Sequence, residues 1–212
     1  MARTGEPGAR GISAFLVPAD VEGLSFGPHE RKMGWNAQPT RQVILDEVRV
    51  PASALLGGVG EGFRIAMSGL NGGRVNIAAC SVGGAQWALD RAVRYVRERF
   101  TFGEALAERQ SVVFALADMA TQLQAARAMV RDAARAIDVR ADDVAVQCAM
   151  AKRFATDAGF EVANRALQLH GGYGYLQEYG IEKVVRDLRV HQILEGTNEI
   201  MRVIVGRDVL GA

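Results

Sequence analysis

Apolar residues recur every three or four positions through the second half of this chain. Val112, Leu116, Met119, Leu123, Ala126, Val130, Ala133 and Ile137 form one stripe, with Asp118, Arg127, Arg131 and Asp138 lying off it. That period predicts a long amphipathic helix burying one face against other helices. A second stripe, Val144, Cys148, Ala151, Ala155, Ala158 and Val162, is made mostly of small residues, so its neighbours can approach closely. A third, Ile200, Val203 and Ile204, follows Thr197, a residue suited to N-cap a helix. No proline occurs after Pro51, so nothing of that kind interrupts helices from about residue 61 onward. Residues 1–58 differ. They are rich in Gly and Pro, carry β-like runs at 12–17 and 42–50, and predict strands without a complete sheet. The expected fold is mainly α: a four-helix bundle over residues 59–212, preceded by an incomplete β-domain over residues 1–58. Between them, Gly57-Gly58-Val59-Gly60-Glu61-Gly62 lacks the βαβ setting of a dinucleotide fingerprint and has no Walker lysine; it is expected to be an interdomain hinge.

Composition narrows the chemistry. With 212 residues, of which 49% are hydrophobic and 23% charged, the chain can bury a substantial core. Lys and Arg total 25 against 24 Asp and Glu, a net charge of +1 that makes no electrostatic case for nucleic acid or a membrane surface. No apolar run approaches the roughly 20 residues of a membrane span, so no membrane insertion is expected. The N-terminus also lacks a signal-peptide layout, and cytoplasm or an organelle matrix is the default compartment. Cys80 and Cys148 are isolated within helical patterns and read as buried thiols in a reducing compartment. His29, His170 and His191 are too dispersed for a metal-ligand pattern, so no metal is predicted.

One run stands apart. Val190-His191-Gln192-Ile193-Leu194-Glu195-Gly196-Thr197-Asn198-Glu199 sets a carboxylate and a flexible glycine just before a helix start, which puts Glu195 on the connecting turn. With Leu167-Gln168-Leu169-His170-Gly171-Gly172-Tyr173-Gly174-Tyr175 and Val185-Arg186-Asp187, this run resembles the C-terminal signature of the acyl-CoA dehydrogenase family. Arg99-Phe100-Thr101-Phe102-Gly103 with Gln110 is similar to another family element, and Lys32-Met33-Gly34-Trp35 through Val50-Pro51 resembles the end of the family's β-domain. Within the family, Leu70-Asn71-Gly72-Gly73-Arg74 and the Leu-Glu-Gly-Thr-Asn-Glu form are most like the branch acting on isobutyryl-CoA.

The resemblance implies FAD-dependent α,β-dehydrogenation of a short or branched acyl-CoA, because no protein side chain accepts hydride. Glu195 is implied as the base that removes the α-proton, desolvation in a closed site increasing a carboxylate's basicity. A backbone N–H near Gly196 is a candidate to polarise the thioester carbonyl. Some family members place the base directly before the arginine matching Arg74; here that position is Gly73, which concentrates the role on Glu195. Asn71, Gly72, Gly73 and Arg74 match the family's substrate-contacting loop, and Arg207 matches another substrate-side position. Arg99, Arg109, Gln110, Gln168, Leu169, His170, Gly171 and Gly172 are implied to hold the adenosine and pyrophosphate of FAD, largely across a subunit interface. Thr197, Asn198 and Glu199 match further flavin contacts. The Gly171-Gly172 pair reads equally well as a helix C-cap and turn, and Tyr173 and Tyr175 read as packing residues. The implied partners are acyl-CoA, an electron-transfer flavoprotein and further copies of the chain, as dimer or tetramer. Family members are roughly twice this length, so Met1 aligns inside the β-domain and a truncated sheet with open edges is expected. The alternative is a catalytically silent bundle that oligomerises or complements a separate N-terminal half. An oxidase reacting directly with oxygen is a lesser rival.

Overall fold

The computed structural model describes residues 1–211. Among them the chain divides into two compact units, one of residues 1–32 and 36–70, the other of residues 33–35 and 71–212. In the first, β1 (Ala2–Arg3), β2 (Ile12–Phe15) and β5 (Leu55–Leu56) form an antiparallel sheet in the order β1-β2-β5, with Ala2 opposite Ser13 and Ala14 opposite Leu56. A separate hairpin pairs β3 (Leu24–Phe26) with β4 (Val43–Leu45). Both β-like runs are shorter as strands than their sequence pattern. The second stops at Leu45, because Glu47 takes a left-handed φ of 48° that cannot continue an extended ladder.

The glycine-rich run lies within the first unit, which ends at residue 70. Its glycines allow close packing. A side chain on Gly62 would meet the Ser13 carbonyl carbon at 2.5 Å, and Gly60 N–H donates to Ser13 Oγ at 2.9 Å. The glycines let the chain cross β2 on its way into the helix.

The second unit is helical. The long helix α1 (Gly62–Glu98) is followed by a small hairpin of β6 (Phe100–Thr101) and β7 (Glu104–Ala105). Then come α2 (Gln110–Asp138), α3 (Val144–His170), α4 (Ile181–Arg189) and α5 (Asn198–Val209). The expected stripes of α2 and α3 are their buried faces, whereas Ile200 and Val203 of the third stripe are exposed on α5. Met119, Leu123 and Ala126 of α2 meet Ala155, Ala158, Val162 and Ala163 of α3, with Ala78, Val82 and Ala85 of α1 and Ile181 and Leu188 of α4, in one cluster. Burying a Met, Val, Leu or Ile fully contributes about 1.5–3 kcal/mol each, so this cluster supplies the main drive for helix association. Small residues on α3 set the distances. A Cβ on Gly159 would lie 3.0 Å from the Ser81 carbonyl oxygen of α1. Of the two thiols expected to be buried, Cys148 is and Cys80 is exposed, because Cys80 lies off the α1 face that carries Ile77, Ala78 and Ser81.

Residues 33–35 belong to the helical unit. Trp35 N–H donates to Asp187 Oδ1 at 2.5 Å, Arg186 Nη1 donates to Met33 O at 2.7 Å, and a Cβ on Gly34 would lie 2.8 Å from the Arg186 backbone. The Trp35 ring meets the edge of His191, 5.3 Å away between centroids. His191 is only 2% exposed and shares a 2.8 Å hydrogen bond between Nδ1 and Ser81 Oγ. Burial lowers its pKa from 6.5 to about 4, against the attraction of Asp187 and with the help of Lys152.

That depressed value has a consequence for stability. Between pH 6.5 and 4 the unfolded imidazole binds a proton that the folded one does not, so stability is lost as pH falls through this window. From pH 7 to 4.5 the wild type should lose about 2–3 kcal/mol more than a His191→Gln variant, read from urea midpoints. Equal losses would assign the acid sensitivity to other groups.

Candidate functional site

The chain reverses between α4 and α5 on two consecutive residues with positive φ, Glu195 at 54° and Gly196 at 88°. Gly196 adopts this freely. A Cβ there would be strained at this φ and would also meet the end of the Met201 side chain, Cε at 2.8 Å. For a glutamate the left-handed conformation costs about 1–3 kcal/mol and persists only where the surroundings impose it. Thr197 then caps α5, its side-chain oxygen accepting from Ile200 N–H.

The surroundings of the turn are polar and buried. Lys152 of α3 is fully buried; its Nζ donates to Gly196 O at 2.7 Å and to Asn198 Oδ1 at 2.9 Å. Asn198 Nδ2 donates in turn to Asp157 Oδ1 at 2.7 Å and Thr156 Oγ1 at 2.9 Å, and Gln192 Nε2 donates to Asp157 Oδ1 at 2.9 Å. Burial lowers the Lys152 pKa to about 8; the carboxylates of Asp157, Glu199 and Glu195 oppose that shift and Arg74 adds to it. The sequence reading missed Lys152. Its signal was a charge placed four residues after Cys148 and four before Thr156, on the face of α3 that the small-residue stripe marks as buried.

This turn delivers Glu195 to α1. The half-buried carboxylate lies against the Gly73 backbone so closely that a Cβ on Gly73 would stand 2.2 Å from Oε2. Gly73, which has no side chain, leaves room for the Glu195 carboxylate. Arg74 follows on the helix, 7% exposed, its Nη1 donating to Asn71 Oδ1 at 3.1 Å. Burial pulls the pKa of Arg74 below its ordinary value, and attraction to Cys148 and Glu195 opposes this. Arg74 Nε is buried without a hydrogen-bond partner among the described residues. Asn71, Gly72, Gly73 and Arg74 were expected as a loop, yet all four are helical, because α1 runs unbroken through both glycines. Arg207 is exposed near the far end of α5, nine residues and about 13 Å along the axis from Asn198, and the structure does not bring it to the Glu195 carboxylate.

A second feature lies at the other end of α3. A cleft of about 380 Å³ is lined by Arg99, Thr101, Gln168, Leu169, His170, Gly171 and Gly172, with Tyr95, Leu106, Tyr173 and Leu176. Gly171 is the C-cap of α3 with φ 59°, and the helix ends there in a short 3-10 turn; the cap reading and the cleft coincide. A Cβ on Gly171 or Gly172 would meet nothing within 4 Å among the described residues, so their backbone is open to a close approach. The Arg99 guanidinium sits 5.5 Å from the Tyr173 ring centroid.

Other expected residues are turned to structural contacts. His170 is buried: Nδ1–H donates to Ala166 O at 2.7 Å and the ring stacks on Tyr95 at 4.3 Å, forming a wall of the cleft. Burial lowers its pKa and favours the neutral ring. Arg109 donates to Thr101 O at 2.8 Å and pairs with Glu104 at 3.4 Å, bracing the hairpin that carries Thr101, while Gln110 is exposed at the start of α2. The Asn198 side chain faces inward to Lys152, whereas Glu199 is exposed in the first turn of α5. Tyr175 is not a packing residue, being 80% exposed; Tyr173 packs partly, on Tyr179 at 5.2 Å.

Residues 60–210 match the family described as acyl-CoA dehydrogenase, C-terminal domain. The mitochondrial isobutyryl-CoA dehydrogenase of Bos taurus is 52% identical over 99% of this chain and 50% of its own length. Subunit CarC of the caffeyl-CoA reductase-Etf complex of Acetobacterium woodii is 42% identical over 96% of this chain and 53% of its own. The solved butyryl-CoA dehydrogenase of Megasphaera elsdenii superposes with a TM-score of 0.95 at 40% identity, covering 99% of this chain and 55% of that one. The chain spans about half the length of the curated relatives it matches. Because the family match spans residues 60–210, well over half of the sequence, the chain belongs to the acyl-CoA dehydrogenase family.

Proposed function

We propose that this chain carries the base and part of the cofactor site of a dehydrogenase acting between the α and β carbons of a short or branched acyl-CoA such as isobutyryl-CoA. The observation that carries the reading is the seating of the Glu195 carboxylate on the bare Gly73 backbone, beside the buried Arg74. A carboxylate fixed in this way is suited to take the α-proton of a thioester bound against α1, and Arg74 to attract the polar part of that substrate. FAD, when bound, supplies the acceptor for the β-hydride.

The cleft at the end of α3 fits a dinucleotide's phosphates and adenosine in kind. It offers an exposed cation at Arg99, an open backbone at Gly171 and Gly172, and a volume within the usual range of ligand sites. Gln168 lines the same cleft, and Thr197 and Glu199 at the start of α5 are the candidates for further flavin contacts. The exposed side chains of Phe100, Phe102 and Phe114 favour self-association as a dimer or tetramer. The reading divides the chain into a β-domain part over residues 1–58 and the bundle over 59–212. An electron-transfer flavoprotein is the proposed electron acceptor, in keeping with the Etf complex named for the Acetobacterium woodii relative. The proposed compartment is cytoplasm or organelle matrix; no helix among the described residues is long and apolar enough to cross a membrane.

The first test is the visible spectrum of the protein with FAD, before and after isobutyryl-CoA. Bound flavin that bleaches supports the proposal, and a chain that never retains flavin favours the silent bundle. Glu195→Gln should retain flavin and acyl-CoA while turnover falls about a hundred- to ten-thousand-fold, the usual contribution of a general base. Near-normal turnover would remove Glu195 from the role. Gly73→Ala separates placement from stability. Alanine favours the helix by up to about 1 kcal/mol, so the melting temperature should hold or rise. Its methyl displaces the carboxylate, and turnover should drop by about a hundredfold. Full activity would show that the close seating is dispensable. Arg99→Ala should weaken flavin binding by about ten- to a hundredfold with the urea midpoint nearly unchanged. Equal losses in both would make Arg99 a structural residue.

A further inference from the structure

We propose that Lys152 is a positioning residue for the base: from the core of α3, its ammonium grips the Gly196 carbonyl and the Asn198 side chain and so fixes the turn that holds the Glu195 carboxylate over Gly73. The inference rests on the reading of Glu195 as the base.

Glu195 occupies a left-handed conformation that its own side chain disfavours, and Gly196 beside it adds freedom rather than restraint. Something outside the turn must hold it. The capping bond from Ile200 N–H to Thr197 begins α5 but leaves residues 195 and 196 unconstrained. Lys152 reaches them directly, at 2.7 Å to Gly196 O, and its second bond at 2.9 Å ties the same ammonium to the first residue of α5. Thr156 and Asp157, one helical turn further along α3, fix the other side of Asn198, and Asp157 also receives Gln192 from before the turn. The segment from Gln192 to Asn198 is thus fastened at three points to one rigid helix.

Core packing alone does not account for this residue. A fully buried lysine is expensive to desolvate, and an apolar side chain of the same length would fill the volume at less cost to folding. What an apolar side chain lacks is a charged donor to the Gly196 carbonyl. A charge-assisted bond to that oxygen sets the peptide plane between Gly196 and Thr197, and through it the direction in which Glu195 leaves the backbone.

The test compares wild type, Lys152→Met and Lys152→Gln, with Glu195→Gln alongside. Amide hydrogen exchange read by mass spectrometry needs no activity. Both Lys152 variants should show exchange about tenfold faster or more in the peptide spanning residues 191–201, with residues 155–166 of α3 unchanged. In the flavin-loaded, turning-over protein, kcat should fall about tenfold or more while KM for isobutyryl-CoA is retained, and the isotope effect from α-deuterated substrate should rise as proton removal becomes slower. Unchanged exchange in residues 191–201, with Glu195→Gln inactive, overturns the role of Lys152 and leaves the base standing. A fully active Glu195→Gln protein overturns the base, and the proposal with it. Loss of cooperative unfolding in both Lys152 variants makes the lysine a residue of the core and also overturns the proposal.

Discussion

Everything in the helical unit depends on how closely α3 lets its neighbours approach. Its buried positions are mostly Ala, Gly, Cys and Val, and the backbone of α1 comes near enough that a single methyl on Gly159 would crowd the Ser81 carbonyl. Close approach brings strong dispersion contact along a narrow interface. It also fixes the position of α1 along α3. Ser81 is thereby brought to His191, and Gly73, two turns earlier on α1, is brought to Glu195.

The same helix carries the polar exception. A charged lysine among alanines is unfavourable unless partners meet it, and here the meeting places are the turn and the first residue of α5. The arrangement joins two energetic liabilities, a buried charge and a strained glutamate, so that each offsets part of the other. The hydrogen bonds that satisfy the ammonium are the ones that restrain the turn. Such coupling gives the site a definite geometry without a bulky scaffold around it.

At the opposite end of α3, chain termination and the open cleft are one feature. The helix stops at a glycine with positive φ, and the backbone exposed by that stop becomes the floor of the cleft beside Arg99. The neighbouring His170 stays inside, stacked on Tyr95, where it shapes the wall. A C-cap and the proposed cofactor contact make the same demand on residue 171, which must present backbone without a side chain.

Local pattern was enough to mark the helices, because the apolar stripes of α2 and α3 repeat with the helical period and each stripe is its helix's buried face. It was enough, too, to place Thr197 at a cap and Glu195 on the turn before it, since both follow from neighbours in the chain. Resemblance to a family supplied the grouping of Arg99 with residues 168–172, which periodicity could not. The tertiary structure alone decided the rest. Gly73 and Glu195 lie on segments far apart in sequence, and nothing local says that one is bare so that the other fits. Cys80 and Cys148 look alike in sequence, yet one is exposed and the other buried, because a helix's period fixes which residues share a face and not which face finds a partner. Lys152 shows the limit most clearly. Its place on the buried face was readable, but its two acceptors come from a turn some 45 residues later, and only packing α5 against α3 brings them within reach.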